Sequence, residues 1–357
     1  MLSMINLFEE FFEDGRLIRF GKPSGPLLAQ KAAFFRDNDK LHANVQRVCA
    51  IYSRQPHRTE CKNCAHALRG VSFQKLGVEY VQCENCGHLN GRNEDSEEFC
   101  RAVYTEDSGA AYAQVYSSAD HAAYDSRVEA IYSPKAEFLL ETLGRDALKL
   151  HFADMGAGSG YFVAALLRAG ARNVEGYEVS ETQVGLARQM TGGKFNIHGL
   201  DQIAEIAATV KAEVISFIGV LEHLRNPREV LAAIQTNAAI KYVYISVPMF
   251  SPTVYFESIF PQVFHRHLGA AHTHLYTESS LDWLCKEFKF KRAGEWWFGT
   301  DMVDIYRDVL ISLSKQEETK GLGDGWHQAF CNLIDPLQLE LDKRKLSSEV
   351  HMVLEKY

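Results

Sequence analysis

Four cysteines and one glycine cluster are the residues best placed to do chemistry. Cys61, Cys64, Cys83 and Cys86 form two CxxC pairs in CKNCAHALRGVSFQKLGVEYVQCENC, with eighteen residues between the pairs. Two such turns offer four thiolates, the donor set of tetrahedral zinc, and the spacing falls in the zinc-ribbon range. A short β pattern at 78–81 precedes the second pair. Gly87 follows it, as expected of a turn that aims backbone N–H groups at sulfur. A metal there would hold a small fold together. His66 and His88 each lie two residues beyond a pair and are surplus to a four-thiolate set.

The second centre is 148–171, LKLHFADMGAGSGYFVAALLRAGA. An apolar-rich run is broken by Gly156, Gly158 and Gly160, and an apolar helical pattern follows: strand, tight turn, helix start. Glycine removes side chains where a ligand must lie against the backbone. The N–H groups at the helix start favour anionic or oxygen-rich groups. Asp154 closes the strand at the end where open α/β sheets bind ligands. Glu178, eighteen residues after Gly160, ends the next strand, where a carboxylate can accept both hydroxyls of a ribose. Together these residues describe a nucleoside cofactor site. A dinucleotide site usually shows GxGxxG. Here the string is DMGAGSG, with glycines at alternate positions and an acid two before the first.

The elements that must position these residues alternate along the chain. Strand patterns fall at 149–155, 173–179, 195–198, 213–220 and 241–247, and helical patterns at 161–169, 181–190, 201–210 and 227–238. This predicts an α/β fold built on a doubly wound, Rossmann-like parallel sheet. Ser180 with Gln183 reads as a capping box. Ser133 and Pro134 predict a helix start, and Gly144 its end. A helix at 281–288 and a strand at 290–298 follow. Two long helical patterns, 302–313 and 326–346, come next, the latter interrupted near Pro336. The final VHMVLEKY alternates as a strand. The helical pair is therefore inserted before the last strand.

Upstream, residues 1–58 read as an N-terminal extension and 59–92 as the zinc-binding module. The stretch 93–132 reads as a polar, acidic linker with lid helices carrying Tyr104, Tyr112, Tyr116, Tyr124 and Tyr132, and 133–357 as the catalytic domain. No apolar run approaches the roughly 20 residues that span a bilayer. The N-terminus lacks the basic start and long apolar core of a signal peptide, so a cytoplasmic protein without a membrane partner is expected. Cys49, Cys100, Cys285 and Cys331 are scattered, which suits buried free thiols in a reducing compartment. A net charge of −8 over 357 residues does not favour a broad nucleic-acid surface.

The string ADMGAGSG resembles the first motif of class I S-adenosylmethionine-dependent methyltransferases. Glu178 matches their ribose-holding acid, and VISFIGVLEHLRNP resembles their fourth-strand motif. YISVPM resembles the fifth strand, and HTHLYTESSLDWL the following turn and helix. The order covers most of residues 135–300. The resemblance implies S-adenosyl-L-methionine as cofactor, held by Asp154, Gly156, Gly158, Gly160 and Glu178. It also implies a contact to adenine after the third strand, for which Asp201 and Leu200 are candidates. With the cysteine module included, the chain is similar to sugar C-methyltransferases that act on nucleotide-linked deoxysugars. That similarity implies a small-molecule acceptor, places Glu222 and His223 at it, and makes His223 the candidate base. Val220 departs from the tyrosine that some members carry just before this pair. Histidine suits the task, since an acceptor hydroxyl, amine or acidic carbon needs a base near neutral pH.

Other residues invite other roles. His265, His267, His272 and His274 match no standard zinc spacing, and one or two of them are expected to line the acceptor pocket. Trp296, Trp297 and Asp301 are a further candidate lining. Two alternative functions stand beside small-molecule methyl transfer. One is RNA methylation, with Arg54, Arg58, Lys62, Arg69 and Lys75 in or before the ribbon as phosphate contacts. The other is a catalytically inactive cofactor-binding scaffold.

Overall fold

A computed structural model describes residues 8–30, 33–104, 120–269 and 272–357. In chain order its strands are β1 Glu9–Glu13, β2 Arg16–Phe20, β3 Ser72–Lys75, β4 Val78–Gln82, β5 Leu89–Gly91, β6 His151–Met155 and β7 Asn173–Glu178. They continue with β8 Lys194–Ile197, β9 Val214–Ile218, β10 Tyr242–Pro248, β11 His274–Leu275, β12 Phe290–Phe298 and β13 Glu349–Lys356. The chain forms two compact units. One comprises Met1–Glu94, Pro248–Leu281 and Glu295–Val350, and carries the cysteines. The other comprises Asp95–Val247, Asp282–Gly294 and His351–Tyr357, and carries the glycine turn.

In the glycine-turn unit the strand order is β12-β13-β10-β9-β6-β7-β8, with β12 and β13 entering through residues 290–294 and 351–356. β6 pairs in parallel with β7 and with β9, and Asp154 stands opposite Gly176 on one side and Ser216 on the other. The winding reverses at β6, so the crevice beyond its carboxyl end is the ligand-binding place of such sheets. β6 and β9, ADM and VISF, are buried on both faces, which explains their near-continuous apolar runs. Helices Tyr161–Arg168, Glu181–Thr191, Ile203–Thr209 and Pro227–Thr236 alternate with these strands, close to the predicted positions. Ser180 Oγ accepts the backbone N–H of Gln183 at 3.4 Å, as the capping pattern requires.

One expected start is corrected. Ser133 is not a cap but a helical residue (φ −59°, ψ −44°). The helix Ser133–Leu143 continues a π-helical turn, Val128–Tyr132, and a helix His121–Arg127. The cap is Asp120, whose carboxylate accepts the N–H groups of Ala122 and Ala123. Gly144, at φ 80°, ends the helix as expected.

The cysteine-bearing unit holds a four-stranded sheet, β11-β5-β4-β3, and the hairpin β1–β2. Asp14 and Gly15 take positive φ (50° and 75°), as a two-residue hairpin turn requires. Its helices include Asn38–Tyr52, Pro252–Ile259, Asp301–Ser314, Gly323–Phe330 and Ile334–Asp342. The predicted pair at 302–346 is thus three helices. The break falls at the 3₁₀ turn Cys331–Leu333, and Pro336 sits harmlessly in the first turn of the last helix, where no N–H is needed.

Candidate functional site

The glycine turn joins β6 to the helix Tyr161–Arg168. Gly156, Gly158 and Gly160 all have positive φ (65°, 53° and 77°). Their close neighbours are protein atoms. A Cβ on Gly156 would lie 2.6 Å from Val220 Cγ2, and one on Gly160 would lie 2.7 Å from Phe195 Cζ and 2.9 Å from Ala187 Cβ. Turn conformation and internal packing therefore account for these two glycines, rather than the close approach of a ligand. Val220 itself packs against the turn.

Two buried carboxylates flank this turn. Glu178 Oε2 accepts the Gly158 N–H at 2.9 Å, and Oε1 accepts those of Val179 and Ser180 at 2.9 and 3.0 Å. Asp154 Oδ1 accepts the Ser216 hydroxyl at 2.7 Å. Burial pushes the Asp154 carboxyl up to about 7; the Ser216 hydrogen bond opposes this, the nearby Glu178 charge adds to it, and Lys135 again opposes it. Ser216 went unnoticed in the sequence, although a hydroxyl in the otherwise apolar VISFI was the available signal. Both Asp154 oxygens and Glu178 Oε2 keep lone-pair capacity for a further donor, while Glu178 Oε1 already accepts two.

Beyond β9, Gly219 (φ 67°) turns the chain into the single 3₁₀ turn Leu221–His223. Glu222 is buried and His223 half-buried, with His223 Nε2 3.9 Å from Glu222 Oε1. That distance is too long for a hydrogen bond. Asp201 is exposed, follows β8 and faces Arg225 at 3.4 Å; Leu200 beside it is exposed too. His198 at the end of β8 is buried, and its Nε2 has no hydrogen-bond partner among the described residues.

Residues 124–292, which hold all of these groups, match a family model described as a methyltransferase domain. This stretch is a methyltransferase domain. No curated protein matches its sequence. A magnesium protoporphyrin IX methyltransferase from Synechocystis PCC 6803, solved with bound SAH, is similar in structure at 13% identity. The match covers 73% of this chain and 100% of that one, with a TM-score of 0.46. A SAM dependent methyltransferase from Archaeoglobus fulgidus is similar at 13% identity, over 64% and 94% of the two chains, with a TM-score of 0.41. A geranyl diphosphate C-methyltransferase from Streptomyces coelicolor A3(2) is similar at 10% identity, over 68% and 85%, with a TM-score of 0.40.

The four motif cysteines converge. Cys61 Sγ lies 3.7 Å from Cys86 Sγ, and Cys64 Sγ lies 3.7 Å from Cys83 Sγ. All four sulfurs are buried and within 4.8 Å of one another. A tetrahedron with zinc–sulfur bonds of about 2.3 Å has edges of about 3.8 Å, so these sulfurs fit such an ion. The two knuckles repeat one geometry. Ala65 N–H donates to Cys61 O and Gly87 N–H to Cys83 O, both at 2.8 Å, with positive φ at Ala65 and Gly87. The knuckles aim backbone N–H groups at sulfur as expected, Cys64 at Cys61, and Asn85 and Cys86 at Cys83. Asn63 and Asn90 side chains also reach Cys86 and Cys61 sulfur at 3.6 and 3.4 Å. The sulfur contact with Cys86, and then burial, hold the Cys61 thiol far above its usual range, while burial pushes Cys83 up to about 11. A cation between them would favour the thiolates.

The remaining candidates have structural surroundings. His274 Nδ1 is 2.8 Å from Nε2 of the fully buried His88, and burial pushes His88 down to about 3. His265 is driven down to about 4 by burial, with Nε2 3.4 Å from the Phe260 carbonyl. His267 Nε2 bonds the Met249 carbonyl, and His272 Nδ1 bonds the His267 carbonyl at 2.9 Å. The four histidines do not form a metal set together among the described residues. Trp296 Nε1 donates to Gly21 O at 2.9 Å and Trp297 Nε1 to Glu295 Oε2 at 3.0 Å, both deep in the core. Asp301 is fully buried and accepts from Ser251, Thr253, Gln338 and Ser348. The proposed lining is interior packing. Of the basic residues weighed for phosphate contact, Arg58, Lys62 and Lys75 are buried, Arg58 against Glu94 at 3.0 Å and Lys75 against Glu257 at 2.5 Å. Tyr124 and Tyr132 both stack on Tyr161. Tyr112 and Tyr116 lie outside the described residues.

Proposed function

We propose that this enzyme transfers the methyl group of S-adenosylmethionine to a small-molecule acceptor, with His223 as general base. A nucleotide-linked sugar is the acceptor class we favour, from the resemblance of a four-cysteine module followed by this domain. The observation that carries the reading is the pair of buried carboxylates, Asp154 and Glu178, at the ends of adjacent parallel strands on either side of the glycine turn. Glu178, fixed by three backbone N–H groups, offers the remaining lone pair of Oε2 to a ribose hydroxyl. Asp154, Gly156, Gly158 and Gly160 shape the seat beside it, and Asp201 contributes at its exposed rim.

When bound, the cofactor supplies an electrophilic methyl group whose in-line displacement depends chiefly on alignment. The chain's part is to hold the acceptor and remove its proton. The His223 imidazole accepts that proton, and the Glu222 carboxylate, 3.9 Å from Nε2, stabilises the charge that results. The zinc ion we assign to Cys61, Cys64, Cys83 and Cys86 is structural. Burial of Arg58, Lys62 and Lys75 weighs against the ribbon as an RNA-binding surface.

Calorimetry with S-adenosylmethionine tests the seat. Glu178→Ala should weaken binding by roughly tenfold or more, the loss of hydrogen bonds to a charged group, while Glu178→Gln retains part of it. Equal affinity in Glu178→Ala would remove Glu178 from the site. A turnover screen over nucleotide sugars, small amines and RNA then separates acceptors. Turnover on RNA alone would replace the small-molecule reading, and binding without any turnover would favour the scaffold.

A further inference from the structure

We propose that Tyr124 is a positioning residue for the cofactor: its hydroxyl ties the segment 121–132 to the glycine turn, so that docking of this segment and cofactor binding strengthen each other. The inference rests on the glycine turn being part of the cofactor seat. Ser159 is the turn residue between Gly158 and Gly160, and its carbonyl accepts the Tyr124 hydroxyl at 3.0 Å. The Tyr124 ring is fully buried and stacks on Tyr161, the first residue of the following helix, at a centroid distance of 4.5 Å. Tyr132 also stacks on Tyr161, at 5.2 Å and an interplanar angle of 17°, and the Arg127 guanidinium lies 5.1 Å from the same ring centroid. Asp125 pairs with Arg168 at the far end of that helix. The segment is thus fastened to both ends of Tyr161–Arg168.

The consequence for the seat follows from the turn's other bond. Gly158 N–H is held by Glu178, so the turn is pinned on one side by a proposed ribose-binding carboxylate and on the other by Tyr124. Three successive residues with restricted or positive φ have few alternative conformations once both bonds exist. Loosening one lets the N–H groups wander from the geometry that binds. The π-helical turn Val128–Tyr132 within the segment is a feature frequent at functional sites. Coupling of this kind is reciprocal, so a cofactor that gains from a docked segment must hold the segment down.

The test uses the full chain and two hydroxyl deletions. Tyr124→Phe keeps the ring and removes the bond to Ser159. Tyr132→Phe keeps its stack and removes a hydroxyl that makes no hydrogen bond among the described residues. Calorimetry with S-adenosylmethionine should show Tyr124→Phe binding about threefold to tenfold more weakly, the worth of one neutral hydrogen bond, with Tyr132→Phe unchanged. Limited trypsin cleavage after Arg127 should be slowed by S-adenosylmethionine in the parent chain, and should be faster in Tyr124→Phe without cofactor. Equal affinities and equal cleavage rates in the parent and Tyr124→Phe would overturn the inference. So would equal weakening in both variants, which would mark general loosening. A parent chain that does not bind the cofactor at all would instead sink the cofactor reading, so the two failures are distinct.

Discussion

Two pairs of buried carboxylates, Glu257 and Asp304 in the cysteine-bearing unit and Asp154 and Glu178 in the glycine-turn unit, are treated in opposite ways. In the cysteine-bearing unit Glu257 is enclosed by the Lys75 ammonium at 2.5 Å and the backbone N–H groups of His267 and Leu268 at 2.6 and 3.0 Å. Burial alone would raise its pKa, but Lys75 holds the carboxyl far below the usual range. Asp304 is held down in the same way by Arg266 at 2.8 Å, against the effect of burial. In the glycine-turn unit neither Asp154 nor Glu178 is ion-paired among the described residues, and burial lifts Asp154 to about 7. A carboxylate matched by an internal cation has little left to offer a ligand. One supported only by a hydroxyl or by backbone amides keeps acceptor capacity for a partner from outside. The four cysteines share that second character although they lie in the first unit.

The largest test concerns the metal that four thiolates would hold. The purified chain should carry about one zinc, and structural zinc of this kind is worth on the order of 10 kcal/mol to its fold. Cys83→Ser should lose the metal and melt the cysteine-bearing unit, read by metal analysis and thermal unfolding. A metal-free protein whose melting does not change in this variant would place the cysteines with the internally satisfied groups.

Next in size is the closed pair. Lys75→Met leaves the Glu257 carboxylate buried without its cation and should cost about 3–5 kcal/mol in denaturant unfolding. The double variant Lys75→Met/Glu257→Gln should recover much of that, because no charge is then stranded. A cost below about 1 kcal/mol for Lys75→Met, the range of exposed pairs, would break the contrast between the units.

Local patterns made the glycine-turn unit legible. Its strands and helices follow one another in sequence, so an apolar period and a glycine cluster locate each of them. Glu178 was visible because strand ends in a parallel sheet fall at regular spacing. Both units are assembled from three stretches of chain, but the glycine-turn unit takes most of its elements from the single stretch Asp95–Val247, whereas in the cysteine-bearing unit the partners of Lys75 and Asp301 lie far along the sequence, beyond any local pattern. The hairpin β1–β2 did carry a signal, Asp14-Gly15 between EEFF and RLIRF. The role of Tyr124 had none, since a tyrosine in a helix looks alike whether or not its hydroxyl reaches a turn thirty-five residues away. The tryptophans and histidines were read toward function because aromatic and imidazole groups suit pockets, yet burial and carbonyl partners account for most of them.

The smallest effect probes the open carboxylate itself. The unfolded Asp154 carboxyl titrates near 3.8 and the folded one near 7. Between these values the folded state keeps a proton that the unfolded state has released. Its contribution to stability is therefore fully present below about pH 4 and is lost as pH rises to about 7. Asp308 and Asp342, both pushed up to about 8 by burial, add slopes of the same sign, so the informative quantity is the difference between the parent and Asp154→Asn. That difference should shift by about 1–3 kcal/mol between pH 4 and pH 7, somewhat less than the full value for a shift of this size because a buried site relaxes around the charge. Urea unfolding at several pH values gives it directly. A flat difference would mean that the folded structure supplies Asp154 with a cation after all, and the contrast between the two units would then fail at the residue on which it most depends.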